Sequence, residues 1–351
     1  RDPWALRAAL LLVLVVAMVH ARGEVGPRLA SAFVLGGRPA EAGPPPSVDL
    51  WITPPAYTRR APLVSEQTRG QASLAVPAGS EARVQAHHLP PGNGAPSLLL
   101  GEHEEAFTAL GPGSGEAKLV LDADAFLAVT DASGREIARW FIDTVEDKPP
   151  TVSFVGEPRA THREVLKVDF EAADDYGVAE LALLLEPAGR EGKVERLTLL
   201  KPASQPPKLA SGAYQDLTAH PLAGLPVKLR LEAVDAKGQR GESGELEIVL
   251  PAREFRHPLA RAVIEERRKL VAGPETAPEV AGRLAALAET PVAQELPFTV
   301  PLGLRVAGAR LAMNQNDPKS QRSVVDLLWE LALFIEDGAL SMAERKLRDL
   351  Q

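Results

Sequence analysis

Histidines beside carboxylates are the first residues of this sequence whose spacing could support chemistry. The segment EHEEAF places His103 next to a pair of glutamates, as in the helix of a zinc protease. That helix needs a second histidine four residues after the first, and the sequence has Phe107 there. His87 and His88 are also candidate metal ligands. Adjacent residues of a strand point to opposite faces, so this pair does not predict a shared metal ion.

One serine and one pair of aspartates are the remaining candidates. Ser114 lies in GPGSGE, which resembles a nucleophile elbow only loosely, because Pro112 stands where the motif has glycine. Asp174 and Asp175 could supply oxygen ligands to calcium, but calcium needs about six or more oxygens and no second acidic cluster accompanies them. We expect these aspartates to form a turn with Gly177 and keep calcium as the alternative. The sequence predicts no catalytic residue and no cofactor.

The composition excludes several classes of site. The chain has 351 residues, 31 of them proline, and contains no cysteine. Structural disulfides, thiolate zinc sites and cysteine nucleophiles are therefore excluded. A net charge of -8 without a long basic run argues against nucleic acid as a partner, because nucleic-acid surfaces depend on clustered Lys and Arg. Abundant proline with few aromatic residues favours short strands separated by turns.

The N-terminal segment has the composition of a membrane helix. An unbroken apolar run covers residues 8–19, and Trp4 and Arg7 precede it. A segment of this kind reaches about 27 Å, close to the roughly 30 Å hydrocarbon core of a bilayer. We expect a transmembrane helix over residues 1–22, with a signal-peptide core as the alternative. Arginines flank both ends, so the direction of the span stays open.

Two stretches of about a hundred residues each share one pattern, which is the size of a small β domain. The segments PPPSVDLWITPP and KPPTVSFVGEP open with prolines and continue into a strand that ends at another proline. Each stretch closes with a strand, a turn from Asp to Gly at residues 131–134 or 235–238, and a last strand. The pattern predicts two immunoglobulin-like β-sandwiches at residues 47–147 and 148–252, after a linker at residues 23–46.

The C-terminal part changes from a period of two to a period of three or four. This change predicts a helical bundle or coiled-coil start, truncated, over residues 253–351. Its most apolar helix has a stripe formed by Val324, Leu328, Leu331 and Ile335, with Trp329 and Phe334 widening it. The last segment has Ser341 and Glu344 as a capping box. Four residues at heptad spacing are candidates for binding a protein partner or a second copy: Leu340, Ala343, Leu347 and Leu350.

Three segments carry a resemblance to a known family: WITPPAYTRRAPL, AHPLAGLPVKLRLEAVDAKGQ and LPAREFRHPLARAVIEERRKL. In them the chain resembles the family called domain of unknown function 4175, whose members are long alphaproteobacterial membrane proteins. The family is described with transmembrane helices near the N-terminus and a large extracytoplasmic part that ends in Gln- and Gly-rich sequence. The resemblance implies that this chain is an internal fragment. It implies no activity and no site residues.

These features predict a non-enzymatic protein of the bacterial inner membrane, with the residues after about 22 in the periplasm. The sandwiches would be spacers or docking modules, the first helix would contact membrane lipid, and the helical end would oligomerise or bind a protein. One alternative is an accessory part of an envelope enzyme whose active site lies elsewhere. Another is glycan or cell-wall binding, which needs exposed aromatic platforms. The candidates for such platforms are Trp51, Tyr57, Trp140, Tyr176 and Tyr214.

Overall fold

The chain is multidomain, with β-sheets followed by a helical region. The computed structural model describes residues 3–20, 44–66, 72–89, 96–189, 192–314 and 317–349. Two compact units divide the chain: Arg1–Pro54 with Ala61–Thr144, and Pro55–Arg60 with Val145–Gln351. The predicted combination of β and α regions is therefore confirmed.

Helix α1, Pro3–His20, is the first element of the chain. The described residues include no helix that is both long enough and apolar enough to cross a membrane. The structure thus supports a helix here but not the transmembrane helix predicted over residues 1–22. The linker predicted at residues 23–46 lies outside the described residues as far as residue 43.

The described residues of the first unit form two five-stranded sheets. Its strands are β1 (Ser47–Thr53), β2 (Leu63–Glu66), β3 (Ala72–Pro77), β4 (Ser80–His87), β5 (Ser97–Leu100), β6 (His103–Ala106), β7 (Thr108–Gly111), β8 (Ser114–Leu121), β9 (Ala125–Thr130) and β10 (Glu136–Val145). One sheet has the strand order β2-β1-β4-β8-β7, and the other has the order β3-β10-β9-β5-β6. In the first sheet, β4 pairs antiparallel with both β1 and β8.

Alternating burial along the strands builds the core of the first unit. In β1 the buried residues are Val48, Leu50 and Ile52, which are the residues of the predicted period-two pattern. Trp140 of β10 is 2% exposed, and its indole N–H donates to the Ser65 hydroxyl at 3.2 Å. Buried residues of both sheets form one apolar cluster, in which each large aliphatic side chain contributes about 1.5–3 kcal/mol. The two sheets are therefore held together by one core.

The second unit contains a four-stranded and a five-stranded sheet. Its strands are β11 (Thr151–Phe154), β12 (Arg159–Ala160), β13 (Leu166–Ala173), β14 (Val178–Pro187), β15 (Glu195–Leu200), β16 (Lys208–Gln215), β17 (Pro226–Asp235), β18 (Arg240–Glu242) and β19 (Leu246–Val249). In the smaller sheet β13 pairs with β11, β12 and β16; in the larger, β17 pairs with β14, β18 and β19, and β15 lies outside β14. Leucines and valines of β13, β14 and β17 supply most of the core. A 3-10 turn at Ala56–Thr58 also belongs to this unit.

In the described part of the second unit, five α-helices follow the sheets. They are α2 (Pro258–Ala272), α3 (Ala277–Ala288), α4 (Pro291–Gln294), α5 (Thr299–Met313) and α6 (Pro318–Asp349). Helix α2 starts with Pro258 in its first turn and ends at Gly273, as those residues predict. A ring nitrogen of His257 caps its start by accepting the N–H of Leu259 at 3.2 Å. Buried residues of α2, α3, α5 and α6 form one apolar cluster.

Helix α6 agrees with its predicted core stripe and differs from prediction in two respects. The four stripe residues Val324, Leu328, Leu331 and Ile335 are all buried. Phe334, which we expected to widen the stripe, is 47% exposed. The capping box predicted at Ser341 and Glu344 is wrong, because α6 continues through both residues. Only a helix start has free N–H groups to cap, and the preceding Gly338 is tolerated inside a helix at a cost of about 1 kcal/mol.

A buried arginine joins the helices of the second unit to its sheets. The guanidinium of Arg267, on α2, donates to the carbonyl of Val325 in α6 at 3.0 Å. It also donates to the carbonyls of Ala219 at 2.8 Å and His220 at 3.3 Å, in the loop between β16 and β17. Arg267 is 2% exposed, and burial lowers its pKa to about 10. We call this set of three contacts the Arg267 clamp.

A buried glutamate fixes the start of α2 against α6. The carboxylate of Glu336 accepts the backbone N–H of Arg256 at 3.0 Å and that of His257 at 2.9 Å. Burial acts to raise the pKa of Glu336, but these two hydrogen bonds and nearby positive charge hold that pKa below its ordinary value. The carboxylate therefore stays ionised and holds the two helices together.

Candidate functional site

The histidine and serine candidates lie on strands of the first unit. His103 begins β6, whose four residues are all exposed, so it is not on a helix face. Nδ1 of His87, on β4, lies 3.4 Å from Oγ of Ser114, on β8. Nε2 of the same ring lies 3.8 Å from a carboxylate oxygen of Asp49, on β1. Sequence reasoning missed this group because its members meet only through strand pairing.

Asp49, His87 and Ser114 resemble a catalytic triad in residue type but not in setting. The 3.4 Å between the His87 ring and the Ser114 hydroxyl is longer than the roughly 2.6–3.2 Å of a productive hydrogen bond. The side chains of Asp49 and His87 are 35% and 34% exposed, whereas a triad works in a preorganised site that excludes water. Polar residues on adjacent strands of an outward sheet face account for the arrangement.

We expect Ser114 not to act as a nucleophile. A fluorophosphonate probe should label the unaltered chain and a Ser114→Ala variant to the same background level, because the exposed His87 ring, 3.4 Å from the hydroxyl, is not placed to activate it. Mass spectrometry of the labelled protein checks this expectation. Labelling of the unaltered chain that Ser114→Ala abolishes would show instead that the chain is a hydrolase.

Helix α5 carries an exposed apolar stripe, which we call the α5 face. It consists of Phe298, just before the helix, and of Leu302, Val306 and Met313. Their exposed fractions are 69, 44, 38 and 81%, respectively. At about 100° per residue the four lie within an arc of about 80°. Contiguous exposed apolar surface of this kind marks an interaction site more often than scattered single residues do.

Arginines border the α5 face on both sides. Arg305 pairs with the carboxylate of Glu289 at 2.8 Å. Arg310 donates to the hydroxyl of Ser323 at 3.1 Å, so this contact leaves its charge without compensation. An apolar centre with one basic edge is complementary to an apolar surface with an acidic edge.

A buried polar group in the second unit forms what we call the aspartate–tyrosine cluster. Its members are Tyr57, Asp147, Asp174, Tyr176 and Asp235. The rings of Tyr57 and Tyr176 meet edge to face, with their centroids 5.7 Å apart. The guanidinium of Arg60 lies 5.2 Å from the Tyr176 ring, and the ammonium of Lys237 lies 5.7 Å from the Tyr57 ring. The second unit consists of Pro55–Arg60 and of the chain from Val145 onward, and both segments contribute residues to this cluster.

Two aspartates of the cluster each close a turn with one oxygen. Oδ2 of Asp174 accepts the backbone N–H groups of Tyr176 at 2.9 Å and Gly177 at 2.6 Å. Oδ1 of Asp235 accepts the N–H group of Gly238 at 2.6 Å and of the following residue at 2.8 Å. The turn expected at Asp174 with Gly177 is thus present in the structure.

The third aspartate, Asp147, lies beside the second turn. Its Oδ2 accepts the side-chain amide of Gln239 at 2.8 Å and lies 3.6 Å from Nζ of Lys237. Each of the three aspartates keeps a second oxygen that is buried and has no hydrogen-bond partner among the described residues. These atoms are Asp147 Oδ1, Asp174 Oδ1 and Asp235 Oδ2, and the Tyr176 hydroxyl is in the same state.

Burial disfavours the charged forms of this cluster. It is the main cause that raises the pKa of Asp147 and of Asp174 above the ordinary aspartate value, and the negative charge of Asp235 adds to both. Burial also raises the pKa of Tyr57 and Tyr176. Negative charge on these side chains is therefore less favourable in the cluster than in water.

The sequence-predicted site residues occupy different parts of the second unit. Asp174 is 9% exposed and belongs to the cluster, whereas Asp175 is exposed. Leu340, Ala343 and Leu347 lie on α6, and Leu350 lies outside the described residues; their partner-binding role stays a prediction. Within the described ranges, no three acidic or histidine side chains are close enough to hold one metal ion directly.

The aromatic candidates for glycan binding divide between core and surface. Trp140 is 2% exposed and Tyr176 is 8% exposed, so neither offers a ring to a ligand. Tyr214 of β16 is 62% exposed. One exposed ring gives a sugar a single stacking surface, and glycan binding stays a prediction.

Sequence reasoning missed the α5 face and two members of the cluster. The spacing of four residues from Phe298 through Leu302 to Val306 is visible in the sequence, but Leu304 and Leu311 on the opposite side hide it among other apolar residues. No local signal joins Asp147 to Asp235, because they are far apart in the chain.

Comparison with known proteins identifies a family. The family model described as Domain of unknown function (DUF4175) matches residues 1–351, which confirms the resemblance seen in the sequence. None of the curated proteins matches the chain. Among solved structures it is similar to the chicken CNTN1 FN1-FN3 domains, at 11% identity over 54% of this chain and 68% of that one, with a TM-score of 0.23. It is also similar to purple acid phosphatase PPD1 from yellow lupin (Lupinus luteus), at 14% identity over 51% and 38%, with a TM-score of 0.20. Scores this low carry no argument about fold or function.

Proposed function

The chain belongs to the DUF4175 family of unknown function, and we propose that it is a non-enzymatic, membrane-anchored protein of the bacterial envelope. Its two sheet-rich regions are immunoglobulin-like spacers or docking modules that lie in the periplasm, after about residue 22. Its helical end binds a protein partner through the α5 face. The inner membrane is the site of anchoring, through α1.

Helix α1 supports the anchoring part of the proposal. Leu10, Leu11, Leu12 and Val13 are consecutive, and each is 63–67% exposed. Four consecutive helical residues cover about 300° of the circumference, so the apolar surface surrounds the helix. Such a surface is unfavourable in water and favourable in lipid. The guanidinium of Arg7 lies 5.5 Å from the Trp4 ring, and this pair suits the headgroup layer of a membrane.

The α5 face is the observation that carries the docking part of the proposal. Its side chains leave apolar surface in water along a helix of 15 residues, which is about 22 Å long. Covering that surface releases the water and gains free energy in proportion to the area. Arg305 is already paired with Glu289, so the positive charge of Arg310 selects the occupant, which we propose to be an apolar helix of another protein with acidic residues at its edge.

Crosslinking in intact cells tests this docking. A photo-crosslinking amino acid in place of Phe298 should capture one envelope protein. The double change Leu302→Asp and Val306→Asp should reduce that capture at least about tenfold, because two buried charges oppose docking by more than 1.4 kcal/mol. The matched control is Val249→Asp, since Val249 is also an exposed apolar residue of the second unit, at 65%.

The outcome decides what occupies the α5 face. The same capture in the double variant as in the control would contradict docking at this helix. Crosslinks that join only copies of this chain would show that the α5 face binds a second copy and not another protein.

A further inference from the structure

Two turns of the chain share one sequence pattern, and in each the Oδ1 atom of the aspartate accepts backbone N–H groups. In the first unit, Oδ1 of Asp131 accepts the backbone N–H groups of Ser133 at 2.9 Å and Arg135 at 3.0 Å. Its Oδ2 is 3.2 Å from the guanidinium Nε of Arg135, which donates to it. Asp235 closes the equivalent turn with Oδ1, but its Oδ2 is buried without a partner among the described residues. The second oxygen of Asp235 is thus not needed by its turn.

The unpaired oxygens of the aspartate–tyrosine cluster need an explanation. A native fold rarely leaves a buried carboxylate oxygen without a partner, because desolvating it costs free energy that nothing returns. Here each of three aspartates has such an oxygen. The side chain of Asp147 is 1% exposed, and Asp174 and Asp235 are 9% and 4% exposed. Water or an ion is the ordinary way to satisfy such a group.

The Tyr176 hydroxyl is a separate observation that points the same way. The residue is 8% exposed, and its hydroxyl has no hydrogen-bond partner among the described residues. Burial raises the pKa of Tyr176. The charge of Arg60 lowers this pKa, and the charges of Asp175, Asp147 and Asp174 raise it. The hydroxyl therefore lies in the electric field of the same carboxylates.

The charges that face the cluster do not balance. Asp175, exposed at its edge, adds a fourth carboxylate to the three buried ones. Among the described residues, the cations in contact with the cluster are Lys237, which is 48% exposed and lies 3.6 Å from Asp147, and Arg60, which lies over the Tyr176 ring. Four acids against two cations leave an excess of negative charge in a largely buried place.

We propose that the aspartate–tyrosine cluster binds one hydrated calcium ion. All the unpaired atoms are oxygens, and calcium accepts six to eight oxygens, water included, in a flexible geometry. The three aspartates are not close enough to ligate one ion together directly, so water molecules link the ion to part of the set. Bound calcium would compensate the excess charge and connect Asp147 to the turns of Asp174 and Asp235.

Calcium calorimetry on the full chain, after removal of metal with a chelator, tests the site directly. We expect one saturable binding event at pH 7, with an affinity of about 10⁻⁴–10⁻³ M, as in calcium sites of extracellular modules. Asp235→Asn should abolish that event, because the amide keeps an oxygen for the turn but removes the charge. The equivalent change Asp131→Asn in the first unit is the matched control and should leave calcium binding unchanged.

A second variant separates lost binding from lost folding. Tyr176→Phe removes only the unpaired hydroxyl and should weaken calcium binding about threefold or more while the circular dichroism spectrum stays unchanged. No binding heat in the unaltered chain would overturn the proposal. Binding that persists at full strength in Asp235→Asn would also overturn it, by placing the ion elsewhere.

The pH dependence distinguishes calcium from protons as the compensating charge. Asp147 and Asp174 have raised pKa values in the folded chain, so protonation stabilises the fold, and this contribution is lost as pH rises through those values. If protons satisfy the cluster, calcium will not change the thermal midpoint at pH 7, and the proposal fails. If calcium satisfies the cluster, it raises the thermal midpoint at pH 7. This effect is lost as pH falls through the pKa values of Asp147 and Asp174.

Discussion

Replacing Arg267 with methionine is expected to lower the free energy of unfolding of the second unit by about 3 kcal/mol. Methionine keeps the apolar stem but cannot donate to the carbonyls of Val325, Ala219 and His220 that the Arg267 clamp serves. A buried carbonyl that loses its partner costs about 1–3 kcal/mol. Removing the desolvated guanidinium recovers part of that cost, so the expected loss lies at the lower end of the combined cost for the three carbonyls.

Urea unfolding followed by helical circular dichroism measures this loss. The control is Arg261→Met on the same helix, where the arginine is exposed and the change should stay within about 0.5 kcal/mol. Arg267→Lys should fall between the two, since one ammonium cannot match the planar fork of a guanidinium. Equal unfolding curves for Arg267→Met and Arg261→Met would show that the clamp adds no stability.

The clamp also bears on how the α5 face would be used. Arg267 ties α2 to a loop of the sheets and to α6, and Glu336 ties α6 to the start of α2. Helix α5 packs into the same apolar cluster as α2 and α6. These contacts fix the helices of the second unit against its sheets. A partner that binds α5 would therefore meet a preorganised surface.

Local patterns predicted those elements whose signal lies within a few residues. The alternation of Val48, Leu50 and Ile52 predicted strand β1, and all three are buried. Pro258 and Gly273 predicted the two ends of α2. These predictions work because side-chain periodicity and backbone restrictions act over one or two turns of chain.

Features that depend on distant contacts could not be predicted in this way. The group of Asp49, His87 and Ser114 needs the pairing of three strands, and single-sequence periodicity does not specify pairing partners. Asp147, in the segment between β10 and β11, likewise meets the turn of Asp235 only through contacts between distant parts of the chain. The sequence did show both turns, but only the structure shows that one of them leaves a carboxylate oxygen unpaired.

A change at Gly177 is expected to have the second large effect, because this glycine meets two separate restrictions. Its φ of +112° lies in a region that other residues rarely adopt. A Cβ there would also overlap the backbone carbonyl oxygen of Gln205. Gly177→Ala should therefore cost about 1–2 kcal/mol for conformation and about 2 kcal/mol more for the overlap.

Gly238 separates the two restrictions. It has a φ of +94°, and a Cβ there would meet nothing within 4 Å, so Gly238→Ala should cost only the conformational part, about 1–2 kcal/mol. Urea unfolding of the two variants measures the difference, which we attribute to the Gln205 contact. Equal losses would mean that the backbone near Gln205 yields without cost. A larger loss at Gly177 would show that the backbone near Gln205 does not move to make room for a Cβ. The turn that places Asp174 in the aspartate–tyrosine cluster would then be rigid.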